Sequence, residues 1–238
     1  MDLKELHGWT GNLEAHWYYA SKAGALRRLL RGKGFRRIAD IGAGSGFFAR
    51  QALRVEHARE AYCIDVNYER DWEECSGGKR LWYRRSADRV EADLYLLMDV
   101  LEHVEDDLTF LRSIVNAAPP GAHFVVSVPA FKFLWSRHDE FLGHYRRYTL
   151  RDATTLLRSA GLVVEKSGYY FGLVFPAAAA LRLCRKFFSG SGGTPSSDMR
   201  ELPFIANFLL RQLCRLEESV FLMNRCFGLT AFVLARRG

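Results

Sequence analysis

Short, nearly continuous apolar runs alternate along the chain with longer stretches in which apolar residues recur every three to four positions. The runs at 36–41, 61–64, 81–84, 94–98 and 123–128 predict strands, and the last is almost wholly apolar, as suits a strand covered on both faces. The helical period predicts helices over 12–31, where Leu13, Trp17, Ala20, Gly24, Leu26 and Leu30 form a rough stripe, and over 47–55. Two more are expected over 106–117, stopped by Pro119-Pro120-Gly121, and over 150–160, stopped by Gly161. Strands at 162–165 and 229–235 complete a set of seven. This order predicts an α/β fold, a seven-stranded, mostly parallel sheet with helices on both faces.

About 60 residues separate the last two strands. They hold two apolar, basic helical segments around a Ser/Gly/Pro-rich linker at 189–197. The organisation expected is a helical cap at 1–36, a sheet core at 37–170, a helical insertion at 171–227 and a final core strand at 228–238. The chain carries a net charge of +7, and from Phe171 onward nine Arg/Lys stand against four Asp/Glu. Most of the excess positive charge therefore lies in the tail, which fits peripheral contact with an anionic membrane or pairing of two copies through 171–227. It does not fit a continuous basic cleft for nucleic acid. Cys63, Cys75, Cys184, Cys214 and Cys226 are widely spaced and include no CxxC pair, which points to free thiols in a cytoplasmic setting. The apolar stretch 169–181 is too short for an ordinary membrane span and contains Gly172 and Pro176.

The most informative segment is Asp40-Ile41-Gly42-Ala43-Gly44-Ser45-Gly46, which leads the first strand into a helix. Glycines there let a nucleotide-like ligand approach the backbone, and Asp65 at the end of the second strand is placed to hold both ribose hydroxyls. A dinucleotide fingerprint would put its third glycine one residue later, where Phe47 stands. Asp40 also suits a ligand with a positive amino group and sulfonium better than a pyrophosphate. The architecture expected is accordingly Rossmann-like.

Asp40 to Gly46 resembles motif I of the class I S-adenosylmethionine (SAM) dependent methyltransferases. Asp99-Val100-Leu101-Glu102-His103-Val104 and the Pro119-Pro120-Gly121 turn resemble the quinone-biosynthesis-like (type 11/23) branch, and the match covers residues 12 to about 170. His16-Trp17-Tyr18-Tyr19 and His144-Tyr145-Arg146-Arg147-Tyr148-Thr149 resemble features of one bacterial subgroup. The resemblance implies SAM as cofactor, held by Asp40, Gly42, Ala43, Gly44 and Gly46, with Gly42 and Gly44 along its methionine part. It places Asp65 on the ribose, Val66 on the adenine and Asp88 near the adenine amino group. Asp99, with Val100 beside it, would meet the methionine amino group, and Trp17 and Tyr18 would form a lid.

Methyl transfer from a sulfonium needs an aligned acceptor and, for a hydroxyl, a base. The loop after the fifth strand supplies candidates: His144 as base, His138 as its rival and Asp139 as orienting partner, since histidine titrates near neutrality. Trp135, Tyr145, Arg146, Arg147 and Tyr148 are the candidate acceptor-binding residues. His138 and His144 lack an evident third ligand, so no metal is expected. Asp99-Val100-Leu101-Glu102 is not the Asn/Asp-Pro-Pro-aromatic segment of amino-group methyltransferases, which favours oxygen methylation of a small-molecule, carbohydrate or isoprenoid lipid-type acceptor. An RNA methyltransferase and a non-catalytic SAM-binding scaffold are the rival readings.

Overall fold

A computed structural model describes residues 11–54, 57–88, 90–188 and 202–238. In chain order the elements are α1 (Trp17–Leu30), β1 (Arg37–Ile41), α2 (Phe47–Ala52), β2 (Glu60–Ile64), β3 (Trp72–Ser76) and β4 (Lys79–Arg84). Next come β5 (Leu94–Met98), α3 (Asp107–Ala117), β6 (His123–Pro129), α4 (Arg137–Leu142), α5 (Leu150–Ser159) and β7 (Leu162–Tyr170). The last are α6 (Phe175–Phe188), α7 (Phe204–Glu218) and β8 (Thr230–Arg237). The strands form one sheet in the order β3-β4-β2-β1-β5-β6-β8-β7. β4, β2, β1, β5 and β6 run parallel, while β3, β8 and β7 pair antiparallel.

Strand residues alternate between two cores, as the pleat requires. Ile38, Leu94 and Leu96 pack with Tyr19 and Leu26 of α1 and with Phe47 and Phe48 of α2. Ala39, Tyr95 and Leu97 pack on the opposite face with Leu111 of α3 and Leu157 of α5. Helices thus cover both faces, as the sequence pattern predicts.

Three differences have local causes. The sheet has eight strands, not seven, because β3 pairs with β4 through Gly77 and Gly78, at φ +58° and +76°. Two left-handed positions suit a two-residue hairpin turn, whereas Trp-Glu-Glu-Cys-Ser offers no apolar run to betray the strand. β7 extends to Tyr170, past a bulge between Val164 and Lys166, so the apolar stretch at 169–181 opens as a strand end. The loop after β6 contains the short helix α4, whose capping box pairs Ser136 with Asp139 and whose end is Gly143 at φ +73°.

The linker at 189–197 lies outside the described residues. α1 and α7 pack against each other: the Trp17 amide donates to Asn207 Oδ1 at 2.8 Å, and Asn207 Nδ2 donates to the Ala15 carbonyl at 2.9 Å. Among the described residues, no helix is long and apolar enough to cross a membrane.

Candidate functional site

β1 connects outward to β2 on one side while β5 flanks it on the other, so the carboxyl ends of these three strands border a topological switch point. The glycine loop, Asp65 and Asp99 all lie there. The Gly42 and Ala43 amides donate to the Ile64 carbonyl at 2.7 and 3.1 Å, tying the loop to β2. Gly42 sits at φ +65°, and a Cβ there would lie 2.9 Å from Val100 Cγ2; Gly46 sits at φ +70°, and its Cβ would lie 2.7 Å from the Tyr83 hydroxyl. These two glycines are demanded by the protein's own packing as well as by any ligand.

Asp65 stands beside the loop with its Oδ2 accepting from the Gly44 amide at 3.0 Å and its Oδ1 from the Asn67 amide at 3.0 Å. A carboxylate has about four acceptor sites, so capacity remains for two ribose hydroxyls. Val66 follows at 76% exposure, an apolar face open to a purine. Ser45 Oγ is buried without a partner. These features fit an adenosine-bearing cofactor. Asp88 is exposed in the loop after β4, with its amide donating to Ser86 Oγ.

Asp40 is placed differently from the expectation of a ligand-facing anion. It is buried, its Oδ2 accepts from the Ala49 amide at 3.0 Å, and burial raises its pKa to about 7. It anchors α2 to β1. Asp99, at φ +57°, accepts from Ser127 Oγ at 3.0 Å and forms an ion pair with the fully buried Lys22 of α1. Burial alone would lower the Lys22 pKa, but the Asp99 charge overrides it and holds the ammonium above its usual range. Lys22 also lies 5.3 Å from the Tyr18 ring centroid and 5.8 Å from that of Phe232. Tyr18 stacks on Phe171 at 5.1 Å and Trp17 meets the same ring edge-on at 5.6 Å, so Tyr18 adjoins this ion pair and Trp17 packs beyond it on Phe171. Lys22 was missed in the sequence reading, although it stands on the buried face marked by Tyr19, Ala23, Leu26 and Leu30. A charge on an apolar stripe is the signal that could have found it.

The acceptor-side candidates converge on Asp139, which is fully buried. Its Oδ1 meets His144 Nδ1 at 2.9 Å and accepts from Arg147 Nε at 2.7 Å. Its Oδ2 accepts from Arg147 Nη2 at 3.0 Å and from the Ser136 amide at 2.8 Å. Burial pushes this carboxyl up, but the His144 hydrogen bond and the Arg147 charge win and hold it well below the ordinary range. Asp139 is therefore held as an anion against His144 Nδ1, which fixes the orientation of the ring. His138 is part-buried on the same short helix, and Trp135 is part-buried at its start.

Several acceptor-binding candidates have structural partners here. Arg147 Nη1 also donates to the Ala130 carbonyl at 3.0 Å, and its side chain is buried. Tyr148 is buried, and its hydroxyl donates to Asp107 Oδ2 at 2.7 Å, bracing α3 instead of facing a ligand. Arg146 pairs with the same Asp107 carboxylate at 3.3 Å. Tyr145 is exposed, while its amide donates to the Glu102 carbonyl at 2.7 Å.

That last bond draws the loop after β6 against the turn after β5. His103 and His144 meet edge to face at 4.6 Å between ring centroids. Glu102 is fully buried; burial and the nearby Asp99 charge raise its pKa well above the usual carboxyl range. The expectation of no metal set weighed only His138 with His144, whereas the fold gathers Glu102, His103 and His144. These three come from two loops, a proximity that spacing along the chain does not reveal.

A family model described as a methyltransferase domain matches residues 15–167. No curated protein sequence matches the chain. Among solved structures, an S-adenosylmethionine dependent methyltransferase from Mesorhizobium loti is 19% identical with a TM-score of 0.56, covering 95% of this chain and 100% of that one. The (4+2)-cyclase SpnF is 18% identical at a TM-score of 0.53, over 96% and 85% of the two chains. Phosphoethanolamine N-methyltransferase 2 of Haemonchus contortus, solved with S-adenosyl-L-methionine, is 14% identical at 0.52, over 92% and 52%. At these identities the likeness is one of fold, and the family model decides membership. The chain belongs to the methyltransferase domain family and is a SAM-dependent enzyme of the class I, Rossmann-like type.

Proposed function

We propose that this methyltransferase methylates a hydroxyl of a small-molecule, carbohydrate or isoprenoid lipid-type acceptor. The observation that carries the reading is the buried Asp139–His144 pair at 2.9 Å, clamped by Arg147. SAM supplies a methyl group already activated on a positively charged sulfur. Gly42, Ala43, Gly44 and Gly46 line it, Asp65 holds the ribose, Val66 covers the adenine, and Trp17 and Tyr18 keep water away. Asp139 fixes the His144 tautomer, and Nε2 accepts the hydroxyl proton as the acceptor oxygen takes the methyl group. Trp135, Tyr145 and Arg146 border the acceptor.

The test uses labelled SAM with cell extract divided into aqueous and lipid fractions. The wild-type protein transfers label in alkali-stable form. His144→Ala binds SAM as before by calorimetry, but transfers label about 10²-fold more slowly, the usual contribution of a general base. Undiminished transfer by the variant rejects the reading.

A peripheral membrane site of action is supported by α7. It leaves Phe204 82% exposed, with Ile205, Leu209 and Leu216 also exposed and Arg211 and Arg215 on the same helix. Such a helix lies along an anionic surface with its apolar side down. Sedimentation with phosphatidylglycerol vesicles at low salt should carry the protein down. A protein that stays in the supernatant and runs as a dimer assigns the same face to self-association.

A further inference from the structure

We propose that Glu102, His103 and His144 bind a divalent first-row transition metal ion that holds and activates the acceptor hydroxyl. This deepens the proposed O-methylation and depends on it for the identity of the acceptor group; with the ion bound, His144 Nε2 is a ligand and the hydroxyl proton goes to solvent, in place of direct transfer to His144. The ion site itself stands on separate observations.

Glu102 and His103 lie in the 3-10 turn Leu101–His103 that follows β5, and His144 follows α4. One donor atom from each of the three lies within 4.8 Å of the others. Ligands at about 2.1 Å from one ion are roughly 3–4 Å apart, so small side-chain rotations close the set.

Glu102 supplies the independent sign. It is fully buried, and neither carboxylate oxygen has a hydrogen-bond partner. A buried acid with no donor facing it is costly, and a structural role would bring one. A cation between Glu102 and the two imidazoles satisfies it.

The surroundings are also those of a metal ligand. A ligating histidine usually donates its second ring nitrogen to a carboxylate, which sets the tautomer and raises the basicity of the ligating nitrogen. Asp139 does this for His144, and Arg147 and Ser136 hold Asp139 in place. Two imidazoles and one carboxylate suit zinc, manganese, iron or cobalt better than magnesium or calcium. Three protein ligands leave positions open for a ligand from solution, the pattern of catalytic sites.

An acceptor hydroxyl in such an open position loses its proton to solvent more readily, because the cation stabilises the alkoxide. Its oxygen then forms the new C–O bond as the methyl–sulfur bond breaks, and that electron pair stays on sulfur to give S-adenosylhomocysteine. His144 Nε2 serves the reaction through the ion, and the bound hydroxyl is fixed in line with the methyl carbon.

Tag-free protein stripped with chelator and titrated with Co²⁺ tests the site through visible ligand-field absorption and calorimetry. One equivalent should bind, and Zn²⁺ should displace it. The isosteric Glu102→Gln, and separately His144→Gln, should weaken Co²⁺ binding by at least about tenfold, on the scale of ligand-shell substitutions. SAM affinity and Tm, measured on the same samples, show that the variants are folded. Substoichiometric binding, or affinity unchanged in folded Glu102→Gln, overturns the ion site. If the protein binds no Co²⁺ and His144→Ala still abolishes transfer, the ion site fails and direct base catalysis stands. If Co²⁺ binds at one equivalent but label enters no hydroxyl acceptor, the ion site stands and the O-methylation reading fails.

Discussion

Lys22 of α1 is fully buried and forms an ion pair with Asp99, 77 positions away at the end of β5. The contact joins the N-terminal helix to the strand end beside the glycine loop, under the rings of Tyr18 and Phe232. It makes Asp99 an internal counter-ion, in addition to any part it takes in holding the donor.

Removing one member of a buried pair strands the other charge. Lys22→Met should therefore lower unfolding stability by about 3 kcal/mol, the low end for such pairs, since the Asp99 side chain keeps 27% exposure. Adding Asp99→Asn should restore much of the loss. Urea denaturation of the two variants and the wild type measures both effects, and equal losses in the single and double variants would contradict the pairing.

Asp40 makes stability depend on pH in the unusual direction for a carboxyl. Its pKa is raised by burial to about 7, so the folded state keeps a proton that the unfolded chain releases near 3.8. The contribution is full below about pH 4, falls as pH rises to about 7, and is constant above. Asp40→Asn keeps an acceptor for the Ala49 amide and removes this loss. Above pH 7 it should be more stable than wild type, by on the order of 4 kcal/mol at most. Parallel denaturation series at pH 5 and pH 8 will show whether the gap opens with pH.

Gly46→Ala should destabilise the protein more than an ordinary surface glycine substitution. Its φ of +70° costs an L-residue about 1–2 kcal/mol, and the new Cβ would also press on Tyr83 and Cys63. Gly32→Ala is the control, since it shares a positive φ but has open space around it. The difference in Tm between the two variants isolates the packing term.

Asp65→Ala should weaken SAM binding about 10²-fold or more, the equivalent of losing two hydrogen bonds to a charged group. The fold should survive, because Tyr68 still donates to the Gly44 carbonyl at 2.6 Å. Calorimetry that returns wild-type affinity would remove Asp65 from the donor site.

Much of this molecule was legible without coordinates because its signals are local. A glycine that must sit at positive φ, an acid at a strand end and an apolar run of strand length each impose their meaning over a few residues. The glycine loop, Asp65, the parallel core strands and the helices on both faces follow from such signals. The hairpin strand β3 escaped because an exposed edge strand needs no apolar residues, and α4 because it has only six.

What only the tertiary structure decided are the meetings between distant positions. Asp40 turned inward to Ala49, Lys22 crossed to Asp99, and Tyr148 spent its hydroxyl on Asp107. Glu102, His103 and His144 came together because the Tyr145 amide fastens one loop to the other. Such encounters depend on strand order and on the direction in which each loop leaves the sheet. Residue spacing carries no record of either.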